Sequence, residues 1–283
     1  HNLFELAFAY QLAQKNGIFP SFQFKKEDIS RAKVILLAGI DLAVSHPILW
    51  LEVLKAVRKG AKLLIASPFE LVGNRYASLW LPINPGSEDL LFRYLSKVVL
   101  KQGGARGQNL EGFESFRRAT EKLPLSRVSE EIGIDEPDLQ QPAELLRHGD
   151  VCFIAGSGLT PHSGENRNMA SLWNLALLCK GQLISLGLEN NSRGIFEFHR
   201  NTTPNTIPFE QIIREMQKKK IEALYAMGTV PFNKKTKPEF LVVQDCYMSE
   251  FAERADAVFP AATFAETEGT VINVEGRIQS FSA

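Results

Sequence analysis

The sequence predicts an α/β protein built on parallel sheets with helices on both faces. Three observations lead there. Short runs of β-branched and aliphatic residues are continuous rather than alternating, and Gly, Asp or Pro bounds them; strands buried on both faces read this way. Longer amphipathic runs alternate with them, as parallel crossovers require. Gly17, Gly60, Gly103 and Gly181 stand just past those longer runs, where a helix ends in a left-handed residue.

In chain order, Leu3–Lys15 reads as a helix stopped at Gly17. Val34–Ala38 is the first strand. Pro47–Lys59 is a helix whose proline sits in the first turn, where no N–H is needed. Strands follow at Ala61–Ala66 and Leu79–Ile83. Glu88–Lys101 is a helix with Ser87 as its candidate N-cap and Glu88 at its positive end. Between Gly103 and Pro142 the chain is polar and strand-free, with short helices at Phe113–Lys122 and Arg127–Ile132. That stretch divides the chain into two α/β halves. The second half carries strands at Val151–Ala155, Leu183–Leu186, Ala223–Ala226, Phe240–Val243 and Ala257–Phe259. Its helices are Met169–Lys180, Pro208–Lys219 and Glu250–Arg254.

The halves echo one another. VILLAG (34–39), KLLIAS (62–67) and RYASLWLP (75–82) are matched by ALYAMG (223–228), FLVVQD (240–245) and ERADAVFP (253–260). Either the general recurrence of the doubly wound unit or a pair of similar nucleotide-binding lobes accounts for this.

Composition excludes several classes. The 283 residues suit two domains or one large one. Lys and Arg number 32 and Asp and Glu number 32, so the formal net charge is zero. That balance argues against a broad nucleic-acid footprint or a polybasic membrane surface. Hydrophobic residues at 45% supply a core, which excludes bulk disorder. No apolar stretch is long enough to cross a bilayer. Residues 2–16 carry Glu5, Gln11, Gln14 and Lys15, without the basic lead or cleavage site of a signal peptide. Cys152, Cys179 and Cys246 are far apart and odd in number. They make no disulfide framework, zinc site or four-cysteine cluster, so no metal ligand is expected here. A reducing, cytoplasmic compartment is the expectation.

Ligands of open α/β sheets sit beyond the carboxyl ends of the strands. The loop Gly39-Ile40-Asp41, followed by His46-Pro47, offers a glycine and a helix start for a phosphate. Asp41 accepts from a ribose hydroxyl or caps a turn. Ser67-Pro68-Phe69 and Asn84-Pro85-Gly86-Ser87-Glu88-Asp89 are further loops of this kind. Gly156-Ser157-Gly158-Leu159-Thr160-Pro161-His162-Ser163-Gly164-Glu165-Asn166 is the richest, but it is neither GxGxxG nor a Walker A sequence. Two more loops are Glu189–Gly194 and the tail Glu268–Arg277, whose acids and Arg277 suit internal pairing. No GxSxG, HExxH or cysteine with an obvious histidine partner is present, and no catalytic residue is expected.

Taken in order, these segments resemble the molybdopterin oxidoreductase family. VILLAGIDLAVSHP resembles its Gly-Ser-Asn/Asp…His-Pro loop, VRKGAKLLIASP its RRGAKLIVIDPR strand, and LWLPINPGSEDLL its Pro-Gly-Thr-Asp-Leu segment. FIAGSGLTPHSGENRNMASLWNLALL resembles its Gly-x-Gly-x-Thr…Gly…Asn loop and helix. FLVVQDCYMSEFAERADAVFPAATFAETEGTVINVEGRIQ is close to its consensus ending in Glu-Gly-Arg-x-Gln. The family includes formate dehydrogenases, nitrate reductases and the large iron–sulfur subunit of NADH:quinone oxidoreductase.

The resemblance implies two Rossmann-like, doubly wound parallel-sheet domains, one inserted in the other. Residues 1–32 with 143–283 would form one, and 33–142, including the polar connector 103–142, the inserted one. It implies a fragment, with iron–sulfur clusters and any metal-ligating residue in missing upstream domains and a further C-terminal domain. In catalytic relatives these loops hold the guanine dinucleotide tails of a molybdenum or tungsten pterin. Carried over, the candidate contacts are Gly39, Asp41, His46, Pro85, Gly86, Glu88, Gly156, Gly158, Thr160, His162, Gly164, Asn166 and Asp245.

The departures favour no bound cofactor. The family's Asp-Pro-Arg is Ser67-Pro68-Phe69 here, its Gly-Glu-Asn-Pro is Gly228-Thr229-Val230-Pro231, and its Asp after Pro-Gly-Thr is Glu88. Each unmet buried polar group would cost about 1–3 kcal/mol. Asn191-Ser192-Arg193-Gly194 looks more like the NADH:quinone oxidoreductase subunit. The expectation is a non-catalytic scaffold within such an electron-transfer complex, partnered by its other subunits and cytoplasmic or peripheral on the inner face of a membrane. The alternative is the bis-guanine-dinucleotide-binding part of a formate-dehydrogenase-like enzyme.

Overall fold

A computed structural model describes residues 24–103, 112–159, 167–187, 189–201, 207, 209–228, 230 and 238–283. The helix expected at Leu3–Lys15 lies outside them.

Five strands form one parallel sheet: β1 (Val34–Ala38), β2 (Lys62–Ala66), β3 (Leu79–Leu81), β4 (Val151–Ala155) and β5 (Gln182–Ser185), in the order β3-β2-β1-β4-β5. The two central strands, VILLA and VCFIA, are buried along their whole length, and Val34 pairs with Val151 as Ala38 does with Ala155. From β1 the chain winds outward through α1 (Pro47–Arg58) to β2. From β4 it winds the other way through α6 (Arg167–Cys179) to β5. Right-handed crossovers leaving in opposite directions put their helices on opposite faces.

The core divides accordingly. Ile35, Leu37, Leu63, Ile65 and Ile154 pack with Leu49, Trp50, Val53 and Ala56 of α1. Leu36, Leu64, Phe153 and Leu183 pack on the other face with α6, with α2 (Glu88–Lys101) and with α5 (Glu136–Arg147). A hydrogen bond from the Ser171 hydroxyl to Asp89 ties α6 to α2. Lys97 buries its stem, and its ammonium donates at 2.7 Å to the Glu121 carbonyl at the end of α3 (Phe113–Glu121). A cation there suits the negative helix end. The short helix α4 (Leu125–Ile132) follows. Burial pushes the Cys152 thiol up to about 12; it packs as a small hydrophobe.

Helix α5 was not expected, because the polar stretch up to Pro142 read as a connector with short helices at 113–122 and 127–132. Pro137 falls in the first turn, where it costs nothing. Pro142 lies inside the helix and forfeits one bond, while Leu139, Ala143 and Leu146 are buried on the sheet.

The boundary expected at 142/143 is corrected by the strands. β4 and β5, assigned with the second half, hydrogen-bond into the same sheet as β1. The connector 103–142 is not a divider, since its helices cover one face of that sheet. The chain separates instead into residues 1–200 with 272–277, and residues 201–271 with 278–283. A strand such as β1, buried on both faces, needs a neighbour on each edge, and periodicity marks a strand without naming its neighbours.

The first unit also holds α7 (Ser192–Asn201) up to residue 200. The Asn191 side-chain oxygen accepts the Ile272 N–H at 2.9 Å, and Glu275 accepts the Lys26 N–H at 2.9 Å. The 272–277 loop is thus held by backbone donors. Asn273 organises it, accepting from the N–H groups of Glu275 and Arg277, rather than the acid–Arg277 pairing expected.

In the second unit, α8 (Phe209–Gln217) precedes β6 (Ala223–Met227), β7 (Phe240–Asp245) and β8 (Ala257–Pro260), a parallel sheet in that order. It shares strand sense and sequential order with β1-β2-β3, and Gly228 after β6 is left-handed at φ 71° as Gly39 after β1 is at φ 62°. The sequence echo is therefore an echo of topology. The expected helix at 250–254 is a single tight turn, Ala252–Arg254. Strands β9 (Gly269–Ile272) and β10 (Ile278–Phe281) pair with each other and were not anticipated.

Phe153 is fully buried, and its ring lies against Gly181. Phe153→Ala should destabilise the protein by about 3–5 kcal/mol, read as a lower urea midpoint with no change in slope.

Candidate functional site

Chain directions diverge between β1 and β4, so the loops leaving those strands meet at their carboxyl ends, the ligand position of open α/β sheets. Here the loops are fused backbone to backbone. Gly39 is left-handed, and a Cβ on it would lie 2.6 Å from the Leu159 nitrogen. The Gly158 N–H donates to the Gly39 carbonyl at 2.9 Å, and a Cβ on Gly158 would stand 2.8 Å from that oxygen. Gly156 donates to the Ala38 carbonyl at 3.2 Å, and its Cβ would meet Ile40 at 2.7 Å. The glycines expected to cradle phosphate are explained by this contact, and two of their N–H groups are spent on it.

Beside the contact opens a crevice of about 420 Å³. Its walls come from the ends of four strands: Gly39, Ile40 and Asp41 after β1, Ser67, Pro68 and Phe69 after β2, Ser157 and Gly158 after β4, and Leu186 and Gly187 after β5. Val44, Ser45, His46, Ala66, Leu71 and Glu88 complete the described lining.

Asp41 precedes the short helical turn Leu42–Ser45. Its backbone carbonyl accepts from Val44 and Ser45, but its carboxylate makes no capping bond. The Ser45 hydroxyl donates to that carbonyl at 2.9 Å, which leaves its oxygen to accept from His46 Nδ1 at 3.0 Å. This assigns the Nδ1–H tautomer to a neutral His46 and leaves Nε2 as an acceptor. Burial holds the His46 pKa below its ordinary value.

Pro85 and Gly86 do not line the crevice. They form the turn that delivers α2 to it, with Gly86 left-handed at φ 85°. Ser87 turns its hydroxyl back to the Asn84 carbonyl at 2.7 Å and makes no side-chain cap, so the expected N-cap bond is not formed. Glu88 opens the helix. It is only 9% exposed, lines the crevice, and has no hydrogen-bond or ion-pair partner among the described residues.

Ser67 stands where the resemblance expects a carboxylate. Its hydroxyl donates to the Phe69 carbonyl at 2.7 Å and folds the turn that leaves the Phe69 ring 66% exposed. Asp245 is buried at the end of β7, in the second unit, where it accepts the Tyr247 N–H at 3.3 Å. Thr160, His162, Gly164 and Asn166 lie outside the described residues. Leu186 and Gly187 were missed, although Gly187 follows a strand just as Gly39 does.

A pyrophosphate entering this crevice would meet the carboxylates of Asp41 and Glu88. Among the described lining residues there is no Lys or Arg to offset them. Among the described walls, nothing offsets a doubly charged anion, and residues 160–166 lie outside them.

A five-stranded 3-2-1-4-5 parallel sheet with a crevice at its switch point defines a Rossmann-type dinucleotide fold. The molybdopterin oxidoreductase family model matches residues 5–283, and the chain belongs to that family. It is 26% identical to the F420-dependent formate dehydrogenase subunit alpha of Methanocaldococcus jannaschii, over 89% of this chain and 44% of that protein. It is 28% identical to the NADPH-Fe(3+) oxidoreductase subunit alpha of Geobacter sulfurreducens, over 89% of this chain and 35% of that protein. Acetylene hydratase from Pelobacter acetylenicus shares the fold at a TM-score of 0.67 and 16% identity, over 89% of this chain and 45% of that one. The chain therefore spans less than half the length of these relatives. Membership implies a molybdenum or tungsten pterin in related proteins. No helix among the described residues is long and apolar enough to cross a membrane.

Gly39→Ala should cost about 2 kcal/mol or more, from the left-handed backbone and the clash with Leu159, measured by urea unfolding. His46 carries a linked pH effect. Its folded pKa is depressed, so the unfolded chain binds the proton first as pH falls below about 6.5. Its contribution to stability is whole above that pH and declines toward the folded pKa. His46→Gln should therefore flatten the fall in urea midpoint between about pH 7.5 and pH 5.

Proposed function

We propose that the chain is the core of a redox-complex subunit, of NADH:quinone oxidoreductase type, in which the dinucleotide crevice persists as structure and carries no catalytic step. The observation that supports this most is the crevice wall itself. Ser67 and an exposed Phe69 stand where the family resemblance expects a carboxylate and a cation, and no described lining residue is a Lys or Arg. The segment Asn191-Ser192-Arg193-Gly194 adds support, because Asn191 holds the 272–277 loop and Arg193 pairs with Glu197 at 2.6 Å. Those roles are structural. The partners on this reading are the other subunits of the complex and further iron–sulfur domains of the same protein, in the cytoplasm or on the inner face of a membrane.

A second reading keeps the crevice in service. The relatives named as formate dehydrogenase and NADPH-Fe(3+) oxidoreductase subunits favour it. On that reading Asp41 and Glu88 accept N–H or hydroxyl donors of a guanosine, Gly158 and Ser157 bound its path, and a bound pterin metal supplies the redox chemistry.

Gly158→Asp does not separate the two readings, since any Cβ there collides with Gly39. Metal and pterin analysis does. Full-length protein, purified anaerobically from its own source, should carry iron but no molybdenum, tungsten or extractable pterin. Near-stoichiometric metal with pterin would overturn the scaffold reading and establish the second.

A further inference from the structure

We draw no further inference here: the strongest candidate, the apolar face of the β6-β7-β8 sheet formed by Tyr225, Met227, Phe240 and Phe259, is exposed, and nothing in the structure shows what covers it.

Discussion

The hydrogen bond from Gly158 to the Gly39 carbonyl joins the two loops at the centre of the sheet, and the crevice takes its shape from that contact. β1 and β4 lie side by side but send their crossovers in opposite directions. Their loops must pass within backbone distance, and side chains do not fit there. Three glycines answer that steric demand, one of them left-handed. Every other wall is positioned relative to this contact: Asp41 and His46 downstream of one glycine, Ser157 beside the other, Glu88 at the start of the helix that packs on α6.

The electrostatics of the crevice follow from what surrounds those glycines. Helix starts and glycines suit a phosphate in general. Here two of the amides are spent, and the charged residues of the described lining are Asp41 and Glu88. Family membership thus fixes the scaffold while the lining departs from it. A crevice retains its outline through backbone packing, which tolerates few substitutions. Its chemistry rests on side chains such as Phe69 and Ser67, which can change without disturbing the sheet.

Parts of this were legible in the sequence and parts were not. Val34–Ala38 and Val151–Ala155 were read to the residue, because continuous apolar runs between polar flanks have few other uses. The loops at 39–46, 67–69 and 156–158 were correctly placed at one end of the sheet. Helix α5 was missed because most of its residues lie in a stretch read only as a polar connector. The domain boundary at 142/143 was taken from the family's inserted-domain arrangement, whereas apolar residues of the connector 103–142, among them Val128, Ile132 and Leu139, pack on the same sheet as β1 and β4.

By itself the sequence determined the α/β class, the strands, the loops that carry glycine, and the family. These are local properties: burial on two faces, steric freedom at a residue, a run of matching side chains. Tertiary structure decided that β4 lies beside β1, that Gly39 and Gly158 serve each other, and that Glu88 stands at the crevice wall without a partner among the described residues. Each of these depends on which segments become neighbours across more than a hundred residues. The pairing of two equally apolar strands is fixed by the closure of the whole core, which no local pattern records.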